Sequence, residues 1–186
     1  MRPPAPHDRI AVSLAQAPDA AVIARSPRAV VPEARQALRD RCAGVIHDGL
    51  RLLGVADPAA LQDENGFLHF PAGTIQCTLG IVALDDRDLF LVYAPLLDLP
   101  SDRDLLLPLY RLLLELNNRF ELSIAKFGLH GDTVFLSAMR PLDGLDAAEV
   151  ADIVRWVSNL ADTTDERLIA EFGGTSKRRG GRTEDA

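Results

Sequence analysis

The sequence predicts an α+β fold, an antiparallel sheet flanked by helices, in the element order α-β-β-β-α-β-β-α. Three observations carry this. Apolar residues recur at helical spacing in three separate stretches. Strand-like runs lie between them, joined by short polar or glycine turns, the mark of antiparallel hairpins. The strands come as a group of three and a group of two, which argues against a doubly wound βαβ sheet.

Pro32 fits the first turn of a helix, where its missing N–H costs nothing. Leu38, Cys42, Val45, Ile46, Leu50 and Leu53 then form one helical stripe, stopped by Gly54. A short strand is predicted over Phe67 to Phe70. A longer one, Thr74 to Leu84, puts Ile75, Cys77, Leu79, Ile81 and Ala83 on one face and Thr74, Gln76 and Thr78 on the other. Asp85-Asp86-Arg87-Asp88 makes a polar turn. The next strand, Leu89 to Leu97, is apolar on both faces, as in a strand covered on both sides or at an interface.

A second helix comes after it, with a capping-box-like Ser101 and Asp104. Leu105, Leu109, Leu112, Leu113 and Leu116 form its stripe. Pro108 requires either that the regular helix begin near Leu106 or that its axis bend. Asn117-Asn118 ends it, since asparagine tolerates the left-handed cap. Two strands, Leu122 to Leu129 and Thr133 to Met139, are joined by His130-Gly131-Asp132, with Gly131 supplying the positive φ. Pro141 breaks the second. Asp146 with Glu149 opens the third helix, striped by Val150, Ile153, Val154, Val157 and Leu160. A polar break over Asp162 to Asp165 precedes Leu168, Ile169 and Phe172, and Gly173-Gly174 ends the element.

With 186 residues and 47% apolar content, the chain is long enough for one domain with a true core. Aromatics make up only 5%, so that core is built from Leu, Val, Ile and Ala. Residues 1–30, rich in Ala, Pro and Arg, are expected to be a disordered extension, 31–174 the folded domain, and 175–186 a disordered basic tail. The net charge of −7 disfavours nucleic acid as a partner. No apolar run approaches the roughly 18 residues that span a bilayer, and proline breaks up the first thirty residues, so no signal peptide is expected. The expectation is a cytoplasmic protein with no membrane partner.

Catalytic, cofactor and metal motifs are not found in the sequence. There is no GxGxxG, GxxxxGK, HExxH or GxSxG. His7, His47, His69 and His130 stand at no metal-ligand spacing, and Cys42 and Cys77 fit small apolar core positions. The acidic runs at Asp85-Asp86-Asp88 and Asp162-Asp165-Glu166 lack the central glycine of a calcium loop and fit a charged turn and a helix break. The informative excess is apolar. Leu91, Tyr93, Leu109, Leu112, Leu113, Leu116 and Ile124 are the candidate dimer or partner surface.

The run Leu109-Tyr110-Arg111-Leu112-Leu113-Leu114-Glu115-Leu116-Asn117 resembles the LLxLN helix end of CesT-type secretion chaperones and the related YbjN proteins. It is succeeded, as in that superfamily, by Gly131-Asp132, Thr133-Val134-Phe135-Leu136, Pro141-Leu142 and Leu145-Asp146. Glu171-Phe172-Gly173-Gly174 is similar to a YbjN-like helix end. The likeness covers about residues 32 to 174. It implies a type III secretion chaperone-like fold and a homodimer whose curved sheet is flanked by helices. It also implies a non-enzymatic function, holding an extended protein or peptide segment on apolar surface without ATP or metal. The long N-terminal extension and basic tail depart from the secretion chaperones. They count against an export role and leave open a YbjN-like regulatory dimer acting through its tails; a small-molecule enzyme with an unrecognised site is the remote alternative.

Overall fold

The computed structural model describes residues 32–177. The extension expected over 1–30 and the tail from 178 onward lie outside the described residues. The chain divides into two units, Met1–Arg35 and Gln36–Ala186. Of the first, only the opening of a helix is described; the sheet and the helices packed on it belong to the second.

Three helices and an antiparallel sheet appear in the expected order. Helix α1 is Pro32–Leu52, strand β1 Leu68–Ala72, β2 Ile75–Ala83 and β3 Asp88–Asp98. Then come α2, Leu106–Asn117, β4, Ala125–His130, β5, Thr133–Pro141, and α3, Ala147–Phe172. A two-residue strand, β6, Thr175–Ser176, closes the described chain. The sheet runs β1-β2-β3-β5-β4, every pair antiparallel, with β6 added beside the end of β3.

The period-two pattern of β2 holds. Ile75, Cys77 and Leu79 are buried, and across the sheet Phe90, Val92 and Ala94 of β3, Val134, Leu136 and Ala138 of β5, and Ala125 and Phe127 of β4 join them on one face. Helix α3 lies over that face, against β1, β2, β3 and β5. A bulge between Pro95 and Leu97 lets β3 bury both Leu96 and Leu97. Helix α1 crosses the start of α3 closely. A Cβ on Gly49 would come within 2.5 Å of Val150. Arg39 holds α1 to the start of β3 through two hydrogen bonds to the buried Asp88 carboxylate, 2.8 and 2.9 Å.

Several local expectations are corrected. The start of the second helix is not capped by Ser101. Asp102 accepts from the Asp104 N–H at 2.9 Å and caps a turn of 3₁₀-helix, Arg103–Leu105, that leads into α2. Pro108 is then the third residue of α2, within the first turn, where no N–H has an intrahelical acceptor, so no bend is needed. Asn118 stays right-handed at φ −89° and forms no left-handed cap. The strand expected from Leu122 begins only at Ala125, because Phe120–Leu122 is a 3₁₀ turn and Ser123 stands at φ +51°. The polar run at Asp162–Asp165 does not interrupt α3. The helix continues through it, with Asp162 turned to the β1–β2 turn, where it accepts from Thr74 N–H and Oγ1 at 3.0 Å. The tail expected from 175 begins instead with β6, and Lys177 donates its N–H to Leu96 O at 2.9 Å. Gly173 and Gly174, at φ +72° and +94°, turn the chain back to reach that edge.

Candidate functional site

Charged and polar side chains in the described residues serve mainly to hold elements together. Asp63 accepts from Asn65 and Phe67 N–H at 2.9 Å and bonds His69 Nε2 at 3.0 Å, while His69 Nδ1 meets Thr78 Oγ1 at 3.2 Å. The His69 hydrogen bond is the main reason the Asp63 carboxyl sits below its ordinary value. This network fastens the turn before β1 to β2. Burial raises the Cys77 thiol, which lies against Ser158 at 3.4 Å, and raises Cys42, which lies 3.7 Å from Leu142 O. Both are buried among apolar neighbours, where a thiolate is disfavoured. Among the described residues no cluster of His, Cys, Asp or Glu has metal-binding geometry, and no helix is long and apolar enough to cross a membrane.

Three apolar surfaces remain, and five of the seven candidate residues lie on two of them. Leu109 and Leu113 are core residues of α2, so they offer no surface. The leucines that α2 does expose are Leu107, 76% open, and Leu114, 69% open, seven positions apart on one side of the helix. Leu91 and Tyr93 lie half-buried on the sheet face opposite α3. There they neighbour Val82, Phe135 and Met139, with the Tyr93 and Phe135 rings 4.9 Å apart. Burial raises the Tyr93 phenol, and Lys177 opposes that rise.

Leu112, Leu116 and Ile124 belong to a third surface, along α3. Between α2 and α3 is a cleft of about 360 Å³. Its apolar walls are Leu112, Leu116, Leu122, Phe127, Leu160 and Leu168, and Arg119, Glu121, Arg167 and Glu171 stand among its lining residues. Further up α3 a second depression of about 610 Å³ lies between the Phe120–Ile124 turn and the helix, walled by Phe120, Ile124, Ile153 and Trp156. Glu121 lines both. Phe120 is 98% exposed, an unusual position for a phenylalanine, and Ser123 beside it takes a backbone conformation that L-residues rarely adopt. Sequence reasoning misses Phe120 and Trp156. Trp156 falls off the Val150-Ile153-Val154-Val157 stripe, and a lone tryptophan off the buried stripe of an amphipathic helix is the signal that could have found it.

Residues 40–179 match the TY-Chap1 family model, described as T3SS (YopN, CesT) and YbjN peptide-binding chaperone 1. The chain belongs to the TY-Chap1 family. Among solved structures, the TY-Chap1 chain is similar to one from the ExsC–ExsE complex, at 17% identity and a TM-score of 0.54 over 70% of this chain and 96% of that one. It is also similar to one from the complex of the Yersinia pestis type III secretion chaperone SycH with a fragment of YscM2, at 13% identity, 65% and 97% coverage and a TM-score of 0.46. A third is from the ExoU–SpcU complex of Pseudomonas aeruginosa, at 24% identity, 68% and 97% coverage and a TM-score of 0.47. No protein of curated function matches the sequence. The expected type III secretion chaperone-like fold is thus the fold of this TY-Chap1 chain, and the resemblance carried by Leu109 to Asn117 points to the right family.

Proposed function

We propose that this chain is a non-enzymatic, peptide-binding chaperone-like module that holds a segment of a partner protein in the trough along α3. Membership of a family described as peptide-binding chaperones supports the binding class. The observation that supports the trough as the site is the run of partly open apolar walls, Phe120, Ile124, Trp156, Leu112, Leu116 and Leu160, beside polar rims. That composition, an apolar floor with charged edges, is what a peptide groove requires.

The module acts as a homodimer, with the outward leucines of α2 as the contact. Leu107 and Leu114 expose large aliphatic side chains on the side of α2 away from its core leucines, and a second copy would remove them from water. Sedimentation of the full chain should give twice the chain mass, and Leu107→Glu with Leu114→Glu should give a folded monomer. A wild-type monomer would reject the dimer. For the partner site, overlapping peptides from a protein that co-purifies with the chain should include one stretch that binds. Ile124→Asp should weaken that stretch at least tenfold without changing the circular dichroism spectrum. Undiminished binding would move the site off the trough.

A further inference from the structure

The two depressions along α3 have Glu121 in common, and their α3 residues, Ile153 and Trp156 in one and Leu160, Arg167 and Glu171 in the other, follow one path along a single side of the helix. From Trp156 to Leu168 that path runs beside twelve residues of helix, about 18 Å at the α-helical rise. Its walls offer an occupant side chains and almost no backbone. The main-chain groups of α2 and α3 are engaged within the helices, and Phe120–Leu122 is closed as a 3₁₀ turn. The nearby edge of β4 is also occupied at Phe127, which lines the trough. The Asn117 side-chain amide accepts from the Phe127 N–H at 2.7 Å and donates to the Phe127 carbonyl at 2.9 Å.

An extended segment laid there would lose its hydration without gaining the ladder of main-chain bonds that normally holds an added strand. A helix brings those bonds with it. We infer that the occupant of this trough is an amphipathic helix of the partner, its apolar residues spread over about three turns. This inference rests on the peptide-binding reading above and specifies the partner's conformation. Charge gives it a polarity. Arg119 and Arg167 stand at the Leu168 end, where Glu171 offsets one of them, and neither arginine has an ion pair among the described residues. At the Trp156 end Asp152 is neutralised by Arg155 at 2.7 Å, leaving Glu121. The helix therefore carries an acidic side chain toward Arg119 and Arg167, and a basic one opposite Glu121.

Trp156 is the only tryptophan in the chain, so its emission reports on this trough alone. The probe is a synthetic alanine-based peptide of about 18 residues, ~27 Å long as a helix. It has leucines at positions i, i+4, i+8 and i+11, a central lysine, and glutamate at one end. The control replaces one central alanine with proline, which breaks the helix and leaves the apolar and charged residues in place. Titrated into the full-length chain, the helical peptide should shift Trp156 emission to the blue and saturate, binding at least tenfold tighter than the proline peptide. Glu121→Lys should weaken it severalfold, and a peptide with glutamate for the central lysine should restore binding to that variant. Equal binding of both peptides, lost together on Ile124→Asp, would overturn the helical occupant and leave the peptide trough standing. Binding seen by peptide anisotropy with no change at Trp156, or no binding by either peptide, would overturn the inference. The trough would then stand or fall by the partner-derived peptides alone.

Discussion

The side-chain amide of Asn117 stands where the backbone of a neighbouring strand would, bonded to both the N–H and the carbonyl of Phe127. It ends α2 and seals part of the β4 edge with one group. An exposed edge is a template for unwanted pairing. Asn117→Ala leaves a half-buried amide and carbonyl without these partners, at a cost of about 1–3 kcal/mol. Urea denaturation should show that loss, with the m-value unchanged. The sequence identifies Asn117 as a helix terminator, which it is. It does not reveal the bond to Phe127, because that bond depends on how α2 docks and not on local propensity. Asp98 is a second residue whose role is tertiary. Burial alone would raise its carboxyl, but the Lys177 ammonium, 2.6 Å away, and the Thr133 hydroxyl, 2.7 Å away, outweigh burial and hold it below the ordinary value. A depressed folded value means that the stabilisation is present above the unfolded pKa of about 3.9 and fades as pH falls through the folded one. Asp98→Asn should therefore melt below wild type at pH 7, and the two melting curves should converge as the pH falls through the depressed folded value.

At the scale of elements, the crossing of α1 over α3 is set by a single missing side chain. Gly49→Val forces new atoms into Val150 and toward the Ala147 carbonyl, overpacking that costs about 1–3 kcal/mol. Gly44, on the same helix with nothing within 4 Å of its Cβ position, is the control. Gly44→Ala should be neutral or stabilise by up to about 1 kcal/mol through helix propensity. Opposite shifts of the two denaturation midpoints would check the close approach directly. Elements with strong periodicity are legible in the sequence: α1, β2, β3 and β5 keep to their apolar patterns. Those that sequence misjudges are the ones where a polar residue has a distant partner. Asp162 looks like the start of a helix break because its partner, Thr74, is contributed by another element. The sequence starts β4 too early because Leu122, Ile124 and their neighbours carry strand propensity, whereas the backbone at Ser123 turns away.

For the molecule as a whole, composition anticipates a core built from aliphatic side chains and a surplus of apolar surface. It does not divide the leucines of α2 between the two. Leu109 and Leu113 go inward, while Leu107 and Leu114 stay outside. An almost continuous leucine run has no polar residue to mark which side faces water, and only the docking of α2 on β4 decides it. The trough is half legible. Leu112, Leu116 and Ile124 are among the sequence candidates, but their counterparts on α3, Trp156, Leu160 and Leu168, come from a segment about forty residues later in the chain. The return of the chain at β6 bears on how this protein is handled. Thr175 and Ser176 cover the stretch of β3 at Leu97 and Asp98, and Lys177 reaches back to Leu96. A recombinant version cut at Gly174 would bare that stretch of β3 and lose the Lys177–Asp98 pair, leaving a sticky margin that favours clumping during concentration. A trimmed or tagged version therefore has to keep Thr175 to Lys177 in place.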